Sequence, residues 1–198
     1  MSIRAKRAAA LPPEERRAAI IASTLPLLCE HGTALTTREI AEAAGIAEGT
    51  IFRVFPDKES LIDAVVETAF DPAPVDDALD AIDRSLPLAE RLQIATEILQ
   101  HRVTAIWQLM SAVGMSKPSR QGPPDLTALA AVFEPDRDQL RRDPMACAQL
   151  LRGLTFAASH PALVVDQPLP ASEIVSVLLD GLRAPTEQPT PTPQVPTC

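Results

Sequence analysis

Tyrosine is absent from this chain of 198 residues, tryptophan occurs once, and aromatic side chains make up only 3% of it. A core must therefore be aliphatic. The 46% hydrophobic content supplies one suited to packed helices, since strands favour aromatic and β-branched residues. Glycine is scarce, and the 20 prolines fall mostly between apolar-periodic stretches or at the C-terminus, where they punctuate. The three cysteines (Cys29, Cys147, Cys198) are odd in number and far apart, which excludes a disulfide framework or a zinc spacing. They suit free thiols in a reducing cytoplasm. No stretch approaches the ~18 consecutive apolar residues of a membrane span. The N-terminus lacks the apolar run of a signal peptide. A cytoplasmic location with no membrane partner is expected. There is no G-x-S-x-G, no H-E-x-x-H, no glycine-rich phosphate loop and no paired acid–base set, so no enzyme, cofactor or metal site is expected. His31, His101 and His160 are scattered, although His101 shares the longest apolar-periodic run with Trp107 and could line a pocket there.

Positive charge is also in short supply: the net charge is −8. It is unevenly spread. Residues 1–60 hold eight basic and eight acidic side chains, and residues 61–198 hold ten and eighteen. The first 20 residues carry five basic groups (Arg4, Lys6, Arg7, Arg16, Arg17) against two acidic ones. Such asymmetry would orient the molecule on a polyanion and keep the acidic remainder away from it.

The pattern along the chain predicts an all-α protein. Residues 1–12 read as a mobile basic arm, 13–60 as a DNA-reading head, 61–184 as a helical body and 185–198 as a disordered proline-rich tail. A first helix should start after Pro12-Pro13 and bury Ile21, Leu25 and Leu28. Pro26 should bend it, and Gly32 should stop it. Thr36 and Glu39 form a capping box for a second helix, which ends at Gly45. Ile46 should fill the space under the turn. A third helix at about 48–55 would turn Ile51 and Phe55 inward, with Thr50, Arg53 and Val54 pointing elsewhere. Asp57 would cap a fourth, with Leu61, Val65 and Ala69 facing the core. After a joint at Asp71-Pro-Ala-Pro, helices are expected at 75–84, 88–113, 124–134, 144–159 and 172–183, the last started by Ser172. Residues 114–124 should be a loop. Small residues in 144–159 would let another helix approach closely.

Two short helices, a tight turn and a third helix start within residues 35–61 have the pattern of a helix-turn-helix reading head. The stretch Leu35-Thr-Thr-Arg-Glu-Ile-Ala, with the string from Gly49 through Phe52, Phe55 and Lys58 to Leu61, resembles the TetR/AcrR family of bacterial transcriptional regulators. The resemblance covers about residues 14–70. It implies a homodimer whose heads occupy successive major grooves of a palindromic double-stranded DNA operator. It also implies a body that binds a small-molecule inducer and dimerises through its last two long helices, here 144–159 and 172–183. Inducer binding would shift the spacing of the heads and weaken operator affinity. A DNA-binding activator or architectural protein without an inducer is the alternative.

The residues themselves supply candidate contacts. Thr37 and Arg38 open the second helix, where a hydroxyl and a guanidinium can meet phosphate or a guanine edge. Arg38 could equally pair with Glu42 one turn on. Glu48, Gly49 and Thr50 open the third helix, with Gly49 allowing close backbone approach. Glu48 either accepts from cytosine N4 or is a solvated helix-start acid. Phe52 stands where the family commonly has tyrosine, so it loses a phosphate bond but can touch a thymine methyl or a sugar. Val54 stands where many members have histidine. Arg53 projects outward, and Lys58 lies near a phosphate. The arm, Arg16 and Arg17 are further candidates for phosphate or minor-groove contact. Leu99, Val103, Trp107, Met110 and Phe133 could line an inducer pocket suited to a flat or greasy ligand, or be core.

Overall fold

A computed structural model of the chain describes residues 12–114 and 124–182; all but the last residue of the expected arm at 1–12, most of the 114–124 loop and the proline-rich tail lie outside them. The described residues form an all-α structure with no strand. They divide into two compact units. The first gathers the residues up to Val75, those of the His101–Pro124 stretch and His160–Ala162; the second gathers the rest.

In the first unit, α1 (Pro13–His31) begins with Pro13, whose missing N–H costs nothing in a first turn, and with Glu14 and Glu15 at the positive end of the helix dipole. It buries Ile20, Ile21, Thr24 and Leu28, while the expected Leu25 is only half-buried. The buried Thr24 hydroxyl is satisfied by the Ile20 carbonyl at 2.7 Å. Pro26 lies within α1 on its exposed side, as does Ala22, to whose carbonyl a proline has no amide to donate. Gly32 ends the helix at φ +58° and ψ −148°, and a 3-10 turn (Gly32–Ala34) follows.

The capping box holds in full before α2 (Thr37–Ala43): the Thr36 hydroxyl accepts from the Glu39 amide, and the Glu39 carboxylate accepts from the Thr36 amide at 2.8 Å. Gly45 turns the chain at φ +64°, and the Ile46 amide returns to the Ala41 carbonyl at 3.0 Å, seating Ile46 against the core. The next helix, α3 (Glu48–Ile51), is shorter than the 48–55 expectation. Residues 52–54 continue as turns and Phe55 leaves the helical path, because the residue before Pro56 is sterically kept out of helical geometry. Ile51 and Phe55 are nonetheless buried, at 0% and 1% exposure, and Val54 packs against the same core rather than facing away. Asp57 caps α4 (Lys58–Phe70), accepting from the Ser60 amide and hydroxyl at 2.7 Å each. Leu61, Ile62, Val65 and Val66 complete the core under α1 and α2, together with Leu109 and Val113. Each fully buried side chain of this kind contributes about 1.5–3 kcal/mol.

The next helix, α5 (Ala73–Asp80), of which the residues from Asp76 belong to the second unit, starts inside the expected joint, because proline is compatible with a first turn and the Asp71 carboxylate caps the Ala73 amide at 3.0 Å. The long helix α6 (Leu88–Val113) has the predicted bounds, and its residues up to Gln100 belong to this unit. Here α7 (Thr127–Ala131) is only five residues long, and a 3-10 segment (Glu134–Gln139) replaces the rest of the expected 124–134 helix. Pro135 has no amide with which to continue the helix, and the buried Arg91, 2% exposed, fastens the chain at this point. Its Nε donates to the Val132 carbonyl at 3.1 Å. The same guanidinium donates to the Arg84 and Leu86 carbonyls and pairs with Asp136. The last two helices are α8 (Pro144–Ser159) and α9 (Ala171–Leu182), the latter starting one residue before Ser172. α8 packs against both α7 and α9, with Cys147, Ala148 and Leu151 fully buried.

Candidate nucleic-acid interface

Helices α2 and α3 pack together and against the core through Ile40, Ala41 and Ile51, leaving one face of each open. On α2 that face presents Arg38, and at α3 and the turn after it Glu48, Gly49, Phe52 and Arg53, all exposed; Thr37 and Thr50 are half-buried beside them. Phe52 keeps 49% of its surface exposed, an unusual position for a phenyl ring unless something covers it. Open space surrounds Gly49.

Several of these groups already have partners. Arg38 Nε pairs with Glu42 at 3.1 Å, both side chains being largely exposed, so the pair contributes little stability and is readily exchanged. The Thr37 hydroxyl donates to Glu48 Oε1 at 2.5 Å, joining the first turns of α2 and α3. Lys58 Nζ donates to the Thr33 carbonyl at 2.7 Å, fastening the start of α4 to the corner between α1 and α2. The Arg17 guanidinium stacks 4.5 Å from the centre of the Phe55 ring. Sequence spacing gave notice of the Arg38–Glu42 pair alone. The other three join residues 11 to 38 positions apart, where no periodicity applies. The Thr36 hydrogen bonds hold the Glu39 carboxyl below the usual range, and those of Ser60 do the same for Asp57. Both acids therefore remain charged caps. Arg4, Lys6 and Arg7 of the arm lie outside the described residues.

The five residues read as pocket lining fall in different places. Phe133 is fully buried in the second unit, and Leu99 is half-buried there. In the first unit, Met110 packs on the head's core, Val103 is half-buried, and the Trp107 ring meets His160 edge-on at 4.6 Å. The histidine beside Trp107 is thus His160, while His101 is exposed. A groove of about 410 Å³ runs between α1 and α4, along Ala18, Ile21, Leu25 and Val65. Among the described residues no cluster of side chains could hold a metal ion, and no helix is long and apolar enough to cross a membrane.

This arrangement, a capped α2, a glycine turn and an α3 whose outer face is open, defines a helix-turn-helix DNA-binding regulator. Residues 20–65 match the family model for bacterial regulatory proteins of the tetR family. That segment is therefore a TetR-type DNA-binding segment, and the chain shares the all-α fold with an N-terminal helix-turn-helix seen in solved TetR-family regulators. It is similar to a TetR transcriptional regulator from Streptomyces coelicolor, with 26% identity, a TM-score of 0.53, and 84% of this chain and 98% of that one covered. NalD, the secondary repressor of the MexAB-OprM multidrug efflux pump in Pseudomonas aeruginosa, has the same fold at 20% identity and a TM-score of 0.51, over 86% of this chain and 98% of its own. SmeT in complex with triclosan matches at 18% identity and a TM-score of 0.54, over 93% and 99% of the two chains. No curated protein sequence matches the chain.

Proposed function

We propose that the chain is a repressor that binds a palindromic operator as a homodimer and is released from it by a small-molecule inducer. The observation that carries the reading is the open outer face at α2 and α3, with Arg38, Phe52 and Arg53 exposed on a firmly packed base. Arg38 would exchange Glu42 for a guanine edge or a phosphate, and the exposed Arg53 would meet a similar acceptor. Thr50 and the backbone near Gly49 would approach the DNA backbone. Lys58 would reach a phosphate with N–H groups not given to Thr33. Phe52 would cover a thymine methyl or a sugar. Exposed apolar side chains on α8 (Leu150, Phe156) and α9 (Val177) support dimerisation through residues 144–159 and 172–183. NalD is a repressor and SmeT binds triclosan, which supports repression and an apolar inducer here.

The test is operator selection from random DNA, followed by anisotropy titrations over a range of salt. Affinity should fall steeply with salt. Arg38→Ala should cost ~1–3 kcal/mol on the selected operator and less on random DNA if the residue reads a base. Sedimentation should show a dimer at micromolar concentration. A flat salt response would remove the DNA reading, and a monomer would remove the dimer. Operator binding unmoved by any apolar compound in a broad panel would remove the inducer.

A further inference from the structure

Glu48 is out of place on a surface meant for DNA, since phosphates repel it. The head nevertheless holds it in a defined position. Glu48 is the first residue of α3 and Thr37 the first of α2, and the 2.5 Å bond from the Thr37 hydroxyl to Glu48 Oε1 fixes one carboxylate oxygen. The other, Oε2, has no hydrogen bond among the described residues, and the side chain is exposed. It stands four residues before the exposed Phe52 and beside Gly49, around which there is open space. A carboxylate held in this way loses little rotamer freedom when it meets a partner.

The chemistry of the partner follows from what a carboxylate can do, which is accept. In the major groove only cytosine N4 and adenine N6 donate. Guanine presents the acceptors O6 and N7, and thymine presents O4. We propose that Glu48, positioned by Thr37, is a base-selecting residue that admits cytosine or adenine at one position of each half-site and rejects guanine and thymine. Thr37 is then a positioning residue rather than a phosphate contact. The negative charge weakens attachment to all DNA, and the fixed acceptor raises the contrast between right and wrong sequences. This rests on the reading of the chain as a DNA-binding regulator.

The experiment takes the operator selected by the native protein and places all four bases in turn at each half-site position. One position should prefer an amino-bearing base by about 5- to 150-fold, equivalent to ~1–3 kcal/mol. In Glu48→Gln, whose amide both donates and accepts, that preference should collapse while random DNA binds several-fold tighter. Thr37→Val should weaken the same preference, and Thr37→Ser should restore it. Base preferences unchanged at every position in Glu48→Gln would overturn the proposal alone. A native protein that binds DNA without sequence preference, or not at all, would overturn the regulator reading and this proposal with it.

Discussion

Replacing Gly32 by alanine tests two constraints at once. The residue has φ +58° and ψ −148°, a backbone region nearly closed to residues with a side chain. A Cβ there would also lie 2.6 Å from the Ala112 carbonyl oxygen, which is backbone and cannot rotate away. The conformational part costs roughly 1–3 kcal/mol, and overpacking adds roughly 1–3 kcal/mol more. A loss of ~2–6 kcal/mol is large against the ~5–15 kcal/mol by which a domain is held folded. Two other glycines serve as internal controls. Gly45 has φ +64° but open space around it, so Gly45→Ala should cost only ~1–2 kcal/mol. Gly49 has open space and no positive φ, so Gly49→Ala should gain roughly 0.5–1 kcal/mol of helix stability. Urea unfolding followed by Trp107 fluorescence suits the comparison, because Trp107 belongs to the same unit as all three glycines. The order of midpoints should be Gly49→Ala, native, Gly45→Ala, Gly32→Ala, with unchanged slopes. A Gly32→Ala loss no larger than that of Gly45→Ala would refute the reasoning.

In the second unit, Arg91→Leu should cost ~3–5 kcal/mol, because it strands the Asp136 carboxylate and the Val132, Arg84 and Leu86 carbonyls. Adding Asp136→Leu should recover part of this, and denaturant unfolding of both variants decides it; a negligible loss in the single variant counts against Arg91 as a clip. The Glu39 and Asp57 carboxyls are held below the ordinary range by the Thr36 and Ser60 hydrogen bonds. Depressed carboxyls stabilise the fold above the ordinary carboxylate pKa of about 4 and lose that contribution as pH falls through their own lower values. A side-chain NMR titration should find Glu39 low in the native protein and back in the ordinary range in Thr36→Val; identical titrations would disprove the cause.

Helix ends and periodic stretches were legible because their signals are local. Thr36 with Glu39, Asp57 before Ser60, and the apolar rhythm of residues 88–113 each act within a turn or two, and the structure follows them. Local rules were silent where distant groups meet. Arg91 binds the Val132 carbonyl, 41 residues away, where α7 gives way to the 3-10 segment. A hint was present, since residue 91 falls among Leu88, Leu92 and Ala95 on the inward side, where an arginine must find several acceptors. In the head, α2 and α3 were readable as scaffold and exposed face, but the links between them were not. Thr37 with Glu48, Lys58 with Thr33 and Arg17 with Phe55 depend on how the helices meet.

The engagements of the head's cations have a kinetic consequence. Arg38 is held by Glu42, Lys58 by the Thr33 carbonyl and Arg17 by the Phe55 ring. On the proposed reading, a phosphate that recruited Arg38 or Arg17 would make one bond by loosening another, whereas Lys58 would keep Thr33 and use its other N–H groups. For the two arginines each contact would be an exchange, with a partner waiting for the reverse step. If the proposed DNA contacts are made, such a surface would favour short residence on any single site, because affinity differences are expressed mainly in the dissociation rate. Rapid turnover would then let the molecule sample many sequences and leave a site promptly.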